Sequence, residues 1–215
     1  MKKTTLLVAG TMIGISILSL SQPVLATVID GENSANVEIN GTIGKLDNID
    51  PEEKIPEGSD EWINVTVDTA TAFHTTTASK HRVIDSANYS IANNSGRAVN
   101  VSVANLTGTP KLVESLSLNT DIQGNPLVTP EQLTLIENNQ LAELNGSTQW
   151  LKLANANGKF NLETDQANQF ANSATFSYSG TTTADASLLE TTAKEDYTMT
   201  LKFEAIQADG VTVGR

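Results

Sequence analysis

The segment "NYSIANNSGRAVNVSVANLTG", residues 88–108, decides the fold. Tyr89 and Ile91 alternate with polar residues, and Val99, Val101 and Val103 do the same. Alternation with period two gives a strand one packed face and one wet face. Between the runs stands Asn93-Asn94-Ser95-Gly96. Asn and Gly tolerate the positive φ of tight turns, so the segment reads as two strands joined in a β-hairpin. Its polar positions are nearly all Asn, Ser or Thr, which leaves three roles open: scaffold, ligand-binding face or glycosylation region. Asn88, Asn93, Asn100 and Asn105 each begin an N-x-S/T sequon.

The same alternation recurs along the chain. It is found at Val37/Ile39/Ile43, Ile63/Val65/Val67, Leu116/Leu118, Leu151/Leu153, Phe160/Leu162 and Phe176/Tyr178. The longest run is Tyr197, Met199, Leu201, Phe203 and Ala205, with Thr198, Thr200, Lys202 and Glu204 between them. Short strands separated by Gly, Asn, Pro and Asp clusters imply an all-β protein, an antiparallel β-sandwich of about eight or more strands. One or two short helices are expected at an end. Thr129-Pro130-Glu131-Gln132 resembles a helix start, with Leu133, Ile136, Leu141 and Leu144 roughly on one face, so 130–144 reads as helical. "DQANQF", 165–170, reads as a further helical turn.

Residues 1–26 read as a secretory signal peptide. Lys2 and Lys3 precede an apolar run from Leu6 to Leu20, and Val24-Leu25-Ala26 suits cleavage after Ala26. Residues 27–215 then form a single expected sandwich domain, exported and without a membrane span. Cysteine is absent, so no disulfide supports it. Without residues 1–26 the chain keeps 11 basic and 25 acidic residues, a net charge of −14. That balance disfavours nucleic acid and anionic lipid as partners. Seven of the acids lie in "DNIDPEEKIPEGSDE", 47–61, which reads as a solvated surface loop. Asp47, Asp50, Glu52, Glu53, Asp60 and Glu61 offer oxygen ligands but lack the spacing of a compact calcium loop.

Catalytic patterns are weak. The serines lack a G-x-S-x-G elbow, and His74 and His81 have neither a triad nor a zinc-ligand spacing. Glu114, Glu163 and Glu204 are the acids considered for a hydrolase, whose carboxylate pairing is spatial and not legible in sequence. No enzyme, metal or cofactor is expected. Trp62 and Trp150 are the two residues large enough to act as glycan platforms, although each also neighbours apolar strand residues and suits core packing.

"WINVTVDTATAFHT" followed by "YSIANNSGRAVNVSVANLTG", with the final strand "YTMTLKFEAI", resembles exported β-sandwich surface proteins of Gram-positive Firmicutes encoded with WxL cell-wall proteins. The Trp-x-Leu motif itself is degenerate here. Trp150 is followed directly by Leu151, and Trp62-Ile63-Asn64 has no Leu. The resemblance implies the setting and the sandwich and supplies no binding residue. The expected function is a non-catalytic cell-surface or cell-wall-associated protein. It would contact a cell-wall component, a surface protein or host matrix, with Trp62, Trp150, Asn100, Ser102 and Asn105 as candidate binding residues. Lysine at the last three positions is expected to leave the fold intact. The alternatives are a subunit assembling through edge strands and a secreted glycan hydrolase.

Overall fold

The computed structural model describes residues 46–122, 124–128, 132–144, 148–183 and 192–214. The expected signal peptide and the expected strand at Val37–Ile43 lie outside them. The described residues form two antiparallel sheets. Their strands are β1 (Val65–Val67), β2 (Phe73–Thr75), β3 (Val83–Ser86), β4 (Tyr89–Asn93), β5 (Val99–Gly108), β6 (Val113–Ile122), β7 (Leu133–Glu137), β8 (Gln140–Leu141), β9 (Thr148–Leu153), β10 (Ser173–Thr182) and β11 (Tyr197–Ala205). The larger sheet runs β1-β4-β10-β6-β7-β8, with β3 also pairing β10 and β2 pairing β3. The smaller sheet runs β11-β5-β9. Their inner faces share one core, in which Ile91, Val99, Val101, Val103, Leu118, Ile136 and Leu153 are fully buried.

The turn in the deciding segment is not a hairpin turn. β4 pairs with β1 and β10, whereas β5 pairs with β11 and β9. Residues 94–98 therefore carry the chain from one sheet to the other. Such a corner leaves backbone groups without ladder partners, and side chains must supply them. Asn93, with no exposed surface, donates from Nδ2 to the carbonyls of Arg97 and Ala154, each at 2.8 Å. Its Oδ1 accepts from the Ser95 amide at 3.1 Å and the Ser95 hydroxyl at 2.7 Å. Asn155, also fully buried, reaches across to donate to the Gly96 carbonyl at 3.2 Å.

The acidic stretch docks on this corner and is not simply a solvated loop. A side chain at Gly96 would meet the backbone of Pro51 at 2.9 Å, so only glycine permits the approach. A single 3-10 turn, Asp60–Trp62, ends the stretch and buries Trp62 beside Ile55 and Ala205. The Arg97 guanidinium lies 4.0 Å over the Trp62 ring, donates to the Pro51 carbonyl at 2.8 Å and pairs with Glu57. The Arg97 hydrogen bond holds the Glu57 carboxyl below its ordinary range, against the opposing effect of burial.

Two helical expectations are corrected. Residues 133–141 form the β7–β8 hairpin, turned by Asn138 and Asn139 with φ of 52° and 59°. A bulge against β6 passes over Leu135, so Leu135 and Ile136 are both buried. Adjacent apolar residues at a bulge imitate helical spacing, which explains the misreading. Gln132 donates to Asn119 Oδ1 of β6, while Thr129, Pro130 and Glu131 lie outside the described residues. Residues 165–170 form turns. Asp165 Oδ2 accepts from the amides of Phe160 and Asn161, and Asn168 adopts a left-handed φ of 59°. Among the described residues no helix is long and apolar enough to cross a membrane.

Candidate functional site

β5 is the central strand of the smaller sheet, and its two faces differ in chemistry. Val99, Val101, Val103 and Leu106 face the core. The parity changes at Ala104, which the pairing with β11 passes over between Leu201↔Val103 and Thr200↔Asn105. This bulge lets Leu106 continue the inner row, and it leaves Asn100, Ser102, Asn105 and Thr107 together on the outer face.

Register extends that face across all three strands. Asn100 stands between Lys152 of β9 and Glu204 of β11; Ser102 stands between Gln149 and Lys202; Asn105 stands beside Thr200. Lys202 Nζ lies 2.7 Å from Glu204 Oε1, and Asn100 Nδ2 approaches Glu204 Oε2 at 3.4 Å. Asn100 Oδ1 is buried and has no hydrogen-bond partner among the described residues. Three of the sequence candidates are thus brought together, but not equally exposed. Asn100 is 8% exposed and Ser102 1%, whereas Asn105 is open to solvent. Lysine at Asn100 or Ser102 places a long charged chain where there is no room, so the expected tolerance is withdrawn for those two. Burial also closes the sequons at Asn93 and Asn100 to a glycan, while Asn88 and Asn105 stay exposed.

The tryptophans are elsewhere. Trp62 has no exposed surface, and Trp150 is 4% exposed. Trp150 is the extra residue of a bulge in β9, between the pairs Leu151↔Val101 and Gln149↔Ser102. It points between the sheets, edge-on to Phe176 at 5.4 Å, and donates from Nε1 to Thr120 Oγ1 at 2.6 Å. Neither ring offers a platform for a sugar; both take the packing role.

Other polar groups serve the frame. Glu195 accepts from the Lys111 amide at 3.2 Å and the Leu112 amide at 2.6 Å, tying the β5–β6 connection to the approach of β11. Burial pushes the Glu195 carboxyl up, but the Tyr197 hydroxyl and the backbone amides of Lys111, Leu112 and Val113 outweigh it and leave it below its ordinary range. Burial and the same Glu195 contact push the Tyr197 hydroxyl up. His81 Nδ1 meets Thr75 Oγ1 at 2.9 Å, and His74 stands across from Asp85. No group of three potential metal ligands converges among the described residues.

Sequence reasoning also missed a concavity between the loops at 154–160 and 165–172. It has a volume of about 210 Å³, and its lining residues are Asn125, Asn168, Gln169, Asn172 and Phe170 with glycines and alanines between them. The signal was present in the Asn repetition of "ANANGK" and "DQANQFAN". Only the fold shows that the two runs face each other.

The fold and this site define an antiparallel β-sandwich with a polar, amide-rich sheet face. No protein-family model matches the chain, and no curated protein matches it in sequence.

Proposed function

We propose that the protein is an exported, non-catalytic surface protein of a Gram-positive bacterium that binds a partner through the outer face of β11-β5-β9. The observation that carries this reading is the exposed polar surface of that face: Asn105 and Thr107 on the central strand, Thr198, Thr200 and Lys202 beside them on β11, and Gln149 on β9, with Asn100 and Ser102 buried in the same row. Such a face mixes donors with acceptors and holds charges of both signs. It suits a protein surface or a polymer of the cell wall or host matrix, with direct hydrogen bonds and bridging water as the means of contact. The reading of residues 1–26 as a signal peptide and the resemblance to surface sandwiches support the extracellular setting.

The test is retention on purified cell walls and on immobilised matrix proteins. Asn105→Lys with Thr200→Lys changes two exposed positions and is expected to keep the fold while lowering retention at least tenfold. No retention by the unaltered protein, or undiminished retention by the double variant, would overturn the reading.

A second reading is assembly through β11. Over Tyr197–Glu204 this strand pairs only with β5 among the described residues, and its inward Met199, Leu201 and Phe203 are half-buried. An incompletely covered edge is suited to accepting another strand. Light scattering at rising concentration tests it, and a constant monomer mass would end it.

A further inference from the structure

We propose that the cleft between the 154–160 and 165–172 loops binds one neutral hexopyranose ring. This site is separate from the sheet face above. Its lining contains Asn125, Asn168, Gln169, Asn172 and Phe170, and no charged residue. A carboxamide offers both a donor and an acceptor, as does each hydroxyl of a sugar, so opposed amides match a polyol better than they match an ion. Phe170 supplies the apolar element. It packs edge-on against buried Phe160 at 5.3 Å, which fixes the position of its ring at the cleft.

The frame is built before any ligand arrives. The Asn168 amide donates to the Asn157 carbonyl at 2.6 Å, and the Phe170 amide to the Gly158 carbonyl at 3.0 Å. The Ala171 amide donates to the Asn125 carbonyl at 2.8 Å, closing the third side. Asn168 comes so near residue 158 that a Cβ there would lie 2.5 Å from its Cα, so glycine is required.

Not every Asn in these loops is available. Asn155 Oδ1 accepts from the amides of Asn157 and Lys159 and is occupied in holding the turn. Asn125 and Asn172 each commit Nδ2 to a carbonyl, Gln169 at 3.0 Å and Asn93 at 3.4 Å, and their Oδ1 atoms accept no hydrogen bond among the described residues. Asn168 is exposed, and its side chain makes no hydrogen bond among the described residues. The residues lining the cleft therefore include two amides whose oxygens are uncommitted and one whose whole side chain is, beside an aromatic residue.

Size and charge narrow the ligand. At about 210 Å³ the cleft is smaller than the roughly 300–1,000 Å³ of drug-sized sites, which limits it to a single ring. The net charge of −12 for the whole chain disfavours uronic acids and phosphorylated sugars. One ring in a shallow site binds weakly, and useful retention on a polymer comes from many copies meeting many rings.

The test is an NMR titration of the ¹⁵N-labelled protein with methyl β-glucopyranoside and N-acetylglucosamine, with glucuronate as the anionic comparison. Saturable shifts are expected in the side-chain amide of Asn168 and in the backbone at 124–125 and 168–172. Asn168→Gly suits the left-handed backbone, and it is expected to weaken binding at least tenfold with the rest of the spectrum unchanged. Asn105→Lys, on the sheet face, is expected to leave sugar binding unchanged whether or not it affects wall retention. The inference is overturned if neither neutral sugar gives saturable shifts, if the shifts survive Asn168→Gly, or if glucuronate binds as tightly as the neutral sugars.

Discussion

Trp62 and Trp150 began with the same two possible roles, and both are buried, but they hold different parts of the molecule. Trp150 spans the sandwich from the β9 bulge, with its indole N–H satisfied by Thr120 of the opposite sheet. Trp62 ends the acidic stretch, lies beneath the Arg97 guanidinium and has a buried Nε1 with no hydrogen-bond partner among the described residues. One is a member of the common core. The other belongs to a small satellite with Ile55 and Ala205 that fastens a loop to the sheet-to-sheet corner. Burial alone therefore does not rank two tryptophans; the elements each one joins do.

Truncation is the strongest way to break this comparison. Trp150→Ala is expected to cost about 3–5 kcal/mol, because it opens a cavity between the sheets. The whole unfolding transition should move, read as a lower denaturant midpoint with an unchanged slope. Trp62→Ala is expected to act locally, with faster hydrogen exchange at 47–63 and little change in the β6 and β10 amides. Equal loss of protection throughout both variants would show that the satellite and the main core are one cooperative unit.

The corner itself comes next in size. Asn93 serves two carbonyls and two Ser95 donors with no exposed surface. Asn93→Ala leaves those groups unpaired in the interior, at a cost on the order of 3 kcal/mol, measurable by urea titration. A cost near that of a surface substitution would mean that water replaces the amide without loss.

The contrast between strand and corner also explains what the sequence could disclose. Alternation announced β4, β5, β6, β10 and β11, because one buried face and one wet face leave a pattern with period two. It did not announce which strands pair. Asn-Asn-Ser-Gly suits a tight turn whether the flanking strands join one ladder or diverge into two sheets, and the difference lies in Asn155 and Pro51, far away in sequence. The bulges at Ala104, Leu135 and Trp150 were hidden for the same reason, since each exists only relative to a partner strand. At Leu135-Ile136 the hidden bulge changed a strand into an apparent helix, and the turn signal in Asn138-Asn139 was outweighed by the spacing of the leucines. On the candidate face, the shared side of Asn100, Ser102 and Asn105 was legible only in part. Spacing put Asn100 and Ser102 together, but Asn105 joins them because Ala104 is skipped.

Conservative substitutions sharpen the tryptophan comparison at a smaller scale. Trp150→Phe removes the hydrogen bond to Thr120 as well as some volume, whereas Trp62→Phe removes volume and an N–H that makes no hydrogen bond among the described residues. The hydrogen bond should make the Trp150 change the costlier of the two by about 1 kcal/mol. Equal costs, measured by paired denaturant titrations, would indicate that the bond to Thr120 contributes nothing net.

The smallest effect concerns acid, and the Trp150→Phe variant makes it visible. With two tryptophans in the chain, that variant leaves Trp62 as the sole indole, so its fluorescence reports on the ring beneath Arg97. Glu57 has a folded-state pKa held below its ordinary value by Arg97. The unfolded chain therefore takes up this proton at a higher pH than the folded one does. The contribution of the pair is fully present above the unfolded value and fades as the pH falls through the folded one. Acidification should accordingly loosen the Arg97–Trp62 stack below the ordinary carboxylate range, and Glu57→Gln should flatten that part of the profile. The Glu57 side chain is 37% exposed, so solvent screening keeps the effect small. An identical acid profile with and without the Glu57 carboxylate would assign the stack to ring packing and the Pro51 carbonyl alone.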